Sequence, residues 1–253
     1  MSTLRALIVA GDGINCESET AEAFRLAGFQ AETVSINHLI KARFDTDQLS
    51  AQYSALAFPG GFSFGDYLSS GRILAIKIAR GLRWNLPLFA ERGGLVLGVC
   101  NGFQALVRLG VFGRFVSLTS NVSGKFVNHW TSLSPQVSRC LWLKGLGTFS
   151  LPVRHGEGRL VLDRSNMSES LEKLTRHGMA CLKYQANPNG SDQDLAGLCD
   201  ATGRIFGLMP HPEAFVRWTS HPGWTKQASR AGGPGEGLLI FENAAKVAKQ
   251  VGG

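Results

Sequence analysis

Five residues constrain this chain more than any others: Gly98-Val99-Cys100-Asn101-Gly102. An apolar run, Leu95-Val96-Leu97, precedes them, and residues 103–109 continue with helical character. A strand, a sharp turn and a helix in that order put the turn residue on display. Flanking glycines let the backbone bend where bulkier residues resist. Serine hydrolases use the same elbow for their nucleophile, with oxygen in place of sulfur. The start of the helix adds free N–H groups and a positive dipole end, which favour a thiolate. A displayed, activated cysteine points to acyl transfer through a thioester. The ordinary role of an unpaired cysteine is that of a small buried hydrophobe. The choice between the two readings rests on the companions that the rest of the chain supplies.

The chain around this motif reads as α/β. Apolar runs at residues 7–10, 31–34, 55–58 and 95–99 are expected strands, and residues 16–27 and 71–84 are expected helices. Strands alternating with helices argue for a mostly parallel sheet, flavodoxin-like, with helices on both faces. After Gly113 the texture changes to an added antiparallel region. Short strands are expected at 126–130, 140–143 and 160–162, and a hairpin joins 195–199 to 205–209 through Asp200-Ala201-Thr202-Gly203. Residues 236–251 close the chain as an amphipathic helix. The polar, glycine-rich stretch 219–234 reads as an exposed loop with Trp224 isolated in it. No repeat and no second core are evident, so residues 1–253 are read as one domain.

Composition narrows the function. The net charge is +7, but the basic residues are dispersed, with no run of four. No nucleic-acid signature accompanies them, so solubility is the preferred reading, ahead of a surface for an acidic partner or a phosphorylated substrate. No stretch approaches a membrane span. The five cysteines, at 16, 100, 140, 181 and 199, are odd in number and show no C-x-x-C spacing. That pattern suits a reducing compartment and argues against a metal site. The N-terminus carries no signal-peptide pattern, and a cytoplasmic protein is expected.

A cysteine nucleophile needs a base, and the base needs an orienting group. Two of the six histidines stand in H-x-E patterns, His155-Gly156-Glu157 and His211-Pro212-Glu213. In extended backbone, residues two apart face the same way, so either pattern can pair imidazole with carboxylate. His211 with Glu213 is preferred. Pro210 and Pro212 stiffen the backbone around it, and it follows an apolar strand. His155 suits a flexible loop. Pro59-Gly60-Gly61 ends another strand, where N–H groups left free can serve as an oxyanion hole. Gly11-Asp12-Gly13 is not a dinucleotide fingerprint.

The strings themselves are specific. Gly98-Val99-Cys100-Asn101-Gly102-Phe103-Gln104, Pro59-Gly60-Gly61 and His211-Pro212-Glu213 resemble the triad-type (class I) glutamine amidotransferases. Residues 60–68, reading GGFSFGDYL, and Asn187-Pro188-Asn189-Gly190-Ser191 resemble one branch, the glutaminase subunits of phosphoribosylformylglycinamidine synthases. Gly13-Ile14-Asn15-Cys16-Glu17, residues 121–126 and residues 152–159 resemble further motifs of that branch.

The resemblance implies a catalytic triad of Cys100, His211 and Glu213. It implies an oxyanion hole from the N–H groups of Gly61 and Asn101. It places glutamine among Gly60, Phe62, Gln104, Asn121, Ser123 and Phe126. It implies no cofactor or metal on this chain, with ATP and magnesium on a partner synthetase subunit; a small third subunit is implied as a further partner. Neither nucleic acid nor membrane is implied. Other readings are a glutaminase feeding a different synthetase, and a non-catalytic scaffold of the same fold. The chain departs from the family pattern at Ala214, where arginine is usual, and at Lys125, which cannot offer a bidentate fork. Residues 219–234 also look longer than the pattern requires.

Overall fold

The four strands expected in the first half all form. They are β1 (Arg5–Ala10), β2 (Gln30–Ser35), β3 (Ala55–Phe58) and β4 (Leu95–Val99) of a computed structural model that describes residues 3–251. The second half adds β5 (Val116–Thr119), β6 (Val127–Pro135), β7 (Phe149–His155), β8 (Arg159–Leu162), β9 (Leu182–Tyr184), β10 (Leu195–Cys199) and β11 (Ile205–Leu208). Nine of these make one sheet in the order β2-β1-β3-β4-β11-β10-β9-β6-β7, while β5 and β8 pair separately. Pairing is parallel from β2 through β11 and antiparallel from β11 through β7. Every residue of β3, β4, β10 and β11 is buried, as befits strands covered on both faces.

Helices α1 (Glu17–Leu26), α2 (Ile36–Lys41), α3 (Thr46–Gln52), α4 (Arg72–Ile76), α5 (Leu86–Glu91), α6 (Asn101–Arg108), α7 (Met167–Arg176) and α8 (Leu238–Val251) flank the sheets. Local chemistry sets several of their ends. Asp45 accepts from Gln48 N at 2.8 Å and Gln48 Oε1 from Asp45 N at 2.9 Å, a reciprocal cap for α3. The expected helix at 71–84 begins as α4 and continues as a π-helical stretch, Lys77–Leu82, that stops at Arg83 with φ 55°. Helices α1 and α8 meet through Phe24 and Phe241, whose ring centroids are 5.1 Å apart, edge to face.

Three expectations need correction. Residues 141–143 do not form a strand but a single 3-10 turn. Trp142 is fully buried and donates its indole N–H to Arg204 O at 2.9 Å, while Asn243 of α8 donates to the carbonyls of Trp142 and Lys144. The side chain and carbonyls of this run are used by other elements, so it pairs with no strand. His155 is not in a loop; it ends β7 and is buried. The stretch 219–234 is exposed along most of its length but holds a packed base. Trp218 stacks on His221 with centroids 5.2 Å apart, and the Arg230 guanidinium lies 3.6 Å from the Trp218 ring. No helix among the described residues is long and apolar enough to cross a membrane.

Candidate active site

Strands β4 and β11 are parallel neighbours, with Val99 opposite Leu208. The chain leaves both at the same end of the sheet, so Cys100 and the Met209-Pro210-His211 segment emerge side by side. Cys100 N donates to Leu208 O at 2.8 Å, and His211 N donates to Pro152 O of β7 at 2.9 Å. Neighbouring parallel strands thus place residues 100 and 211 together.

Cys100 has φ 49° and ψ −103° and caps α6. That is the strained elbow expected of a displayed nucleophile. Close packing makes the elbow possible. A Cβ on Gly102 would lie 1.9 Å from Phe58 O, so only glycine lets α6 sit against β3. Gly60 is equally constrained: a Cβ there would lie 2.7 Å from His211 Cε1 and 3.5 Å from Cys100 Cβ. Gly60 is therefore the floor between the sulfur and the imidazole.

His211 Nδ1 and Glu213 Oε1 are 2.6 Å apart, and both side chains are almost wholly buried. A 3-10 turn, Pro212–Phe215, folds the carboxylate back onto the ring. Burial works to lower the basicity of His211, but the Glu213 carboxylate and the thiols of Cys100 and Cys16 outweigh it, and the imidazole pKa stands well above its ordinary value. His211 Nε2 is buried without a hydrogen-bond partner among the described residues. The Cys100 thiol donates to Arg154 O at 3.7 Å.

The loop after β3 lies over the start of α6. Ser63 N donates to Asn101 Oδ1 at 3.2 Å, and Asn101 Nδ2 donates to Asp66 Oδ1 and Gln104 Oε1, both at 3.0 Å. Gln104 Nε2 donates to Glu157 O, and Arg108 holds Ser69 and Ser70. Gly61 and Asn101 lie beside Cys100, and among the described residues neither N–H donates to a backbone carbonyl.

The residues expected around glutamine divide into two groups. Gly60 is the buried floor, and Phe62 and Phe126 lie above it at the mouth, both exposed, with centroids 6.5 Å apart. Asn121 and Gln104 are buried with both ends of their amides bonded to protein groups. Ser123 is exposed and accepts from Lys125 N at 3.2 Å.

Sequence reasoning missed two neighbours of the Cys100, His211 and Glu213 group. Cys16 reaches His211 and Glu213, its sulfur lying within 4.8 Å of their ligating atoms. Its N–H donates to Gly60 O at 3.2 Å, and burial raises its thiol pKa. The only signal for it was its place in the opening motif. Tyr184 of β9 is buried with its hydroxyl unpartnered among the described residues, near enough to Cys100 to feel its charge. No sequence pattern marks it. Nor are all the basic residues scattered: Arg72, Arg80, Arg108 and Arg114 line one cavity of about 720 Å³ behind Gln104.

An elbow cysteine, a buried His–Glu pair and a glycine loop meet on an α/β sheet, the arrangement expected of a glutamine amidotransferase. Comparison with known proteins agrees: the CobB/CobQ-like glutamine amidotransferase domain matches residues 3–247. Phosphoribosylformylglycinamidine synthase subunit PurQ of Dehalococcoides mccartyi is 42% identical over 99% of this chain and 100% of its own length. The protein of that name from Methanococcus maripaludis is 38% identical over 95% and 96%. A chain in the structure of PurLQS from Thermotoga maritima superposes with a TM-score of 0.74 at 29% identity, covering 97% of this chain and 99% of that one. A glutamine amidotransferase from Thermotoga maritima, at 14% identity and TM-score 0.53 over 99% of this chain and 95% of its own, shares the fold. The chain belongs to the PurQ family of phosphoribosylformylglycinamidine synthase subunits, within the glutamine amidotransferases.

Proposed function

We propose that this chain hydrolyses glutamine through a Cys100 thioester and delivers the ammonia to a separate synthetase subunit, which makes formylglycinamidine ribonucleotide in purine biosynthesis. The observation that carries the reading is the meeting of the Cys100 elbow with the buried His211–Glu213 pair in a chain that matches PurQ subunits along nearly its whole length.

The geometry supports the steps as follows. His211 Nε2 takes the thiol proton when Cys100 turns from the Arg154 carbonyl toward it; such bonds often form only with substrate present. The sulfur then attacks the carboxamide carbon of glutamine. Glu213 holds the Nδ1 proton and steadies the imidazolium. The N–H groups of Gly61 and Asn101 receive the oxyanion. The proton passes from His211 to the leaving ammonia, and water releases glutamate from the thioester. Gly60, Phe62 and Phe126 frame the glutamine directly. Asn121, Ser123 and Gln104 act by holding the walls. No residue of this chain is assigned to ATP or magnesium, which fall to the synthetase; a small third subunit is a further partner, and the cytoplasm the expected setting.

The test is Cys100→Ser in the reconstituted complex. Glutamine-dependent product should fall by several orders of magnitude while ammonia-dependent product persists, because added ammonia bypasses the thioester. Retained glutamine use by Cys100→Ser overturns the reading.

A further inference from the structure

Three cysteines far apart in sequence meet in the core, away from the triad. Cys140 precedes the 3-10 turn at Leu141–Leu143, Cys181 precedes β9, and Cys199 ends β10. Their sulfurs lie within 4.8 Å of one another. Cys181 and Cys199 are fully buried and Cys140 is 5% exposed. The hairpin of β10 and β11 separates the two places: Cys199 pairs with Phe206 near the turn, whereas His211 follows the opposite end of β11. The absence of any C-x-x-C pattern hid this grouping, since each sulfur comes from a different element.

Three sulfurs bound to one pyramidal central atom at about 2.3 Å stand roughly 3.4 Å apart, so side-chain rotations that draw the three together by about an ångström complete the set. Soft thiolates select soft ions. Charge narrows the choice further. Three thiolates around a divalent ion leave a net negative charge, and burying it without a counter-ion is costly. No Lys, Arg or His side chain is hydrogen-bonded to these sulfurs among the described residues, and the charged neighbour felt by Cys199 is an acid, Asp200. A trivalent centre gives a neutral complex. Cys140 also lines a surface cavity with Ser138, Arg139 and Lys144, so it is the member of the group nearest solvent.

We propose that Cys140, Cys181 and Cys199 form a trithiol site for a trivalent thiophilic metalloid, arsenic(III) or antimony(III). With arsenite the step balances as As(OH)3 plus three thiols giving As(SR)3 and three waters: three sulfur–arsenic bonds replace three oxygen–arsenic bonds, with no change of oxidation state. The complex staples the 140 turn to the ends of β9 and β10.

The test uses the full chain carrying Cys16→Ala and Cys100→Ala, which leaves only these three of the five cysteines. Arsenite should add one arsenic per chain by native mass spectrometry, protect all three thiols from alkylation and raise the melting temperature. Further replacement Cys140→Ala, with folding checked by circular dichroism, should weaken binding at least about tenfold. A chain whose three thiols alkylate at the same rate with and without arsenite overturns the proposal. So does equal arsenite binding by a folded Cys140→Ala variant, or preferential capture of zinc(II) when both are offered.

Discussion

Asn121 and His155 bond to each other twice. Asn121 Nδ2 donates to the His155 carbonyl at 2.8 Å, and Asn121 Oδ1 lies 3.1 Å from His155 Nδ1. The same amide oxygen accepts from Gly158 N at 3.2 Å, and Nδ2 also donates to Lys125 O at 2.9 Å. One buried amide therefore ties the turn at 121–125 to the end of β7. It also fixes the role of the second H-x-E histidine: the His155 ring braces the wall of the site, and its neighbour two residues on, Glu157, accepts from Ser70 N and not from the ring.

His211→Ala should lower the rate of thioester formation by at least roughly 10²-fold, the usual scale for loss of a general base. His155→Asn should retain most of that rate and lose stability by about 1–3 kcal/mol, the cost of disturbing a buried hydrogen bond. Burst labelling with a glutamine-mimicking electrophile, beside urea unfolding, reads both. Equal losses of labelling would remove the distinction between the two histidines.

His155 also predicts an acid limb of stability. Burial, and behind it the charge of His211, lowers its pKa from 6.5 to about 4. A histidine depressed in the folded state is held neutral there, so the unfolded chain binds its proton first. The contribution is complete above pH 6.5 and is lost as pH falls from about 6.5 through about 4. Its size is on the order of 3 kcal/mol for a shift of this span. Unfolding free energies of the wild type and His155→Asn, compared between pH 7 and pH 4.5, should converge at the lower pH. Parallel pH profiles would contradict this account.

Gly60→Ala should abolish glutaminase activity without unfolding the chain. The new methyl carbon would lie 2.7 Å from His211 Cε1, so the ring must move away from Cys100. Its imidazole proton resonances should shift in the variant while the melting temperature falls by only a few degrees. A variant with normal kcat would show that the floor of the site can yield.

Tyr67 and Leu68 are 89% and 57% exposed, on the loop that also carries Gly61. Apolar side chains gathered at a site mouth mark a contact surface. Tyr67→Asp should weaken association with the synthetase subunit by about tenfold or more while leaving the melting temperature unchanged. Glutamate release by the wild-type chain should be slow alone and rise in the complex, where the loop is held. Isothermal titration and steady-state glutamate assays check the two statements; unaltered affinity would place the interface elsewhere.

The parallel half of the fold was legible mainly through β1, β3 and β4, which are apolar along almost their whole length and are followed by glycine, proline or the Cys100 motif; β2, at Gln30–Ser35, is polar and was legible only through Ala31 and Val34 after the stop at Gly28. Cys100 was legible for the same reason, since its motif sits where such a strand meets a helix. His211 and Glu213 were found by spacing, and the stiffening Pro210 and Pro212, the apolar strand before them and the glycines around His155 favoured them over His155 and Glu157. The antiparallel half was harder to read. β6 and β7 contain exposed and half-buried polar residues, and Trp142 looks strand-like although its partners lie in α8 and at Arg204. Cys16 was marked only by its place in the opening motif, and Tyr184 and the trithiol group by nothing, because long-range packing brings these residues to their neighbours.

The centre of the sheet is completed by its last strand. β11, at Ile205–Leu208, inserts between β4 and β10, and the residue opposite it on β4 was synthesised more than a hundred positions earlier. Parallel pairing over such a separation carries a large loop-closure cost before any contact repays it. A nascent or truncated chain can therefore display the Cys100 elbow, but it holds no base against it until β11 has zipped into place. On the proposed mechanism, a chain in which β11 has not joined the sheet has no base beside Cys100 and cannot hydrolyse glutamine, so hydrolytic competence is tied to the longest-range pairing in the fold.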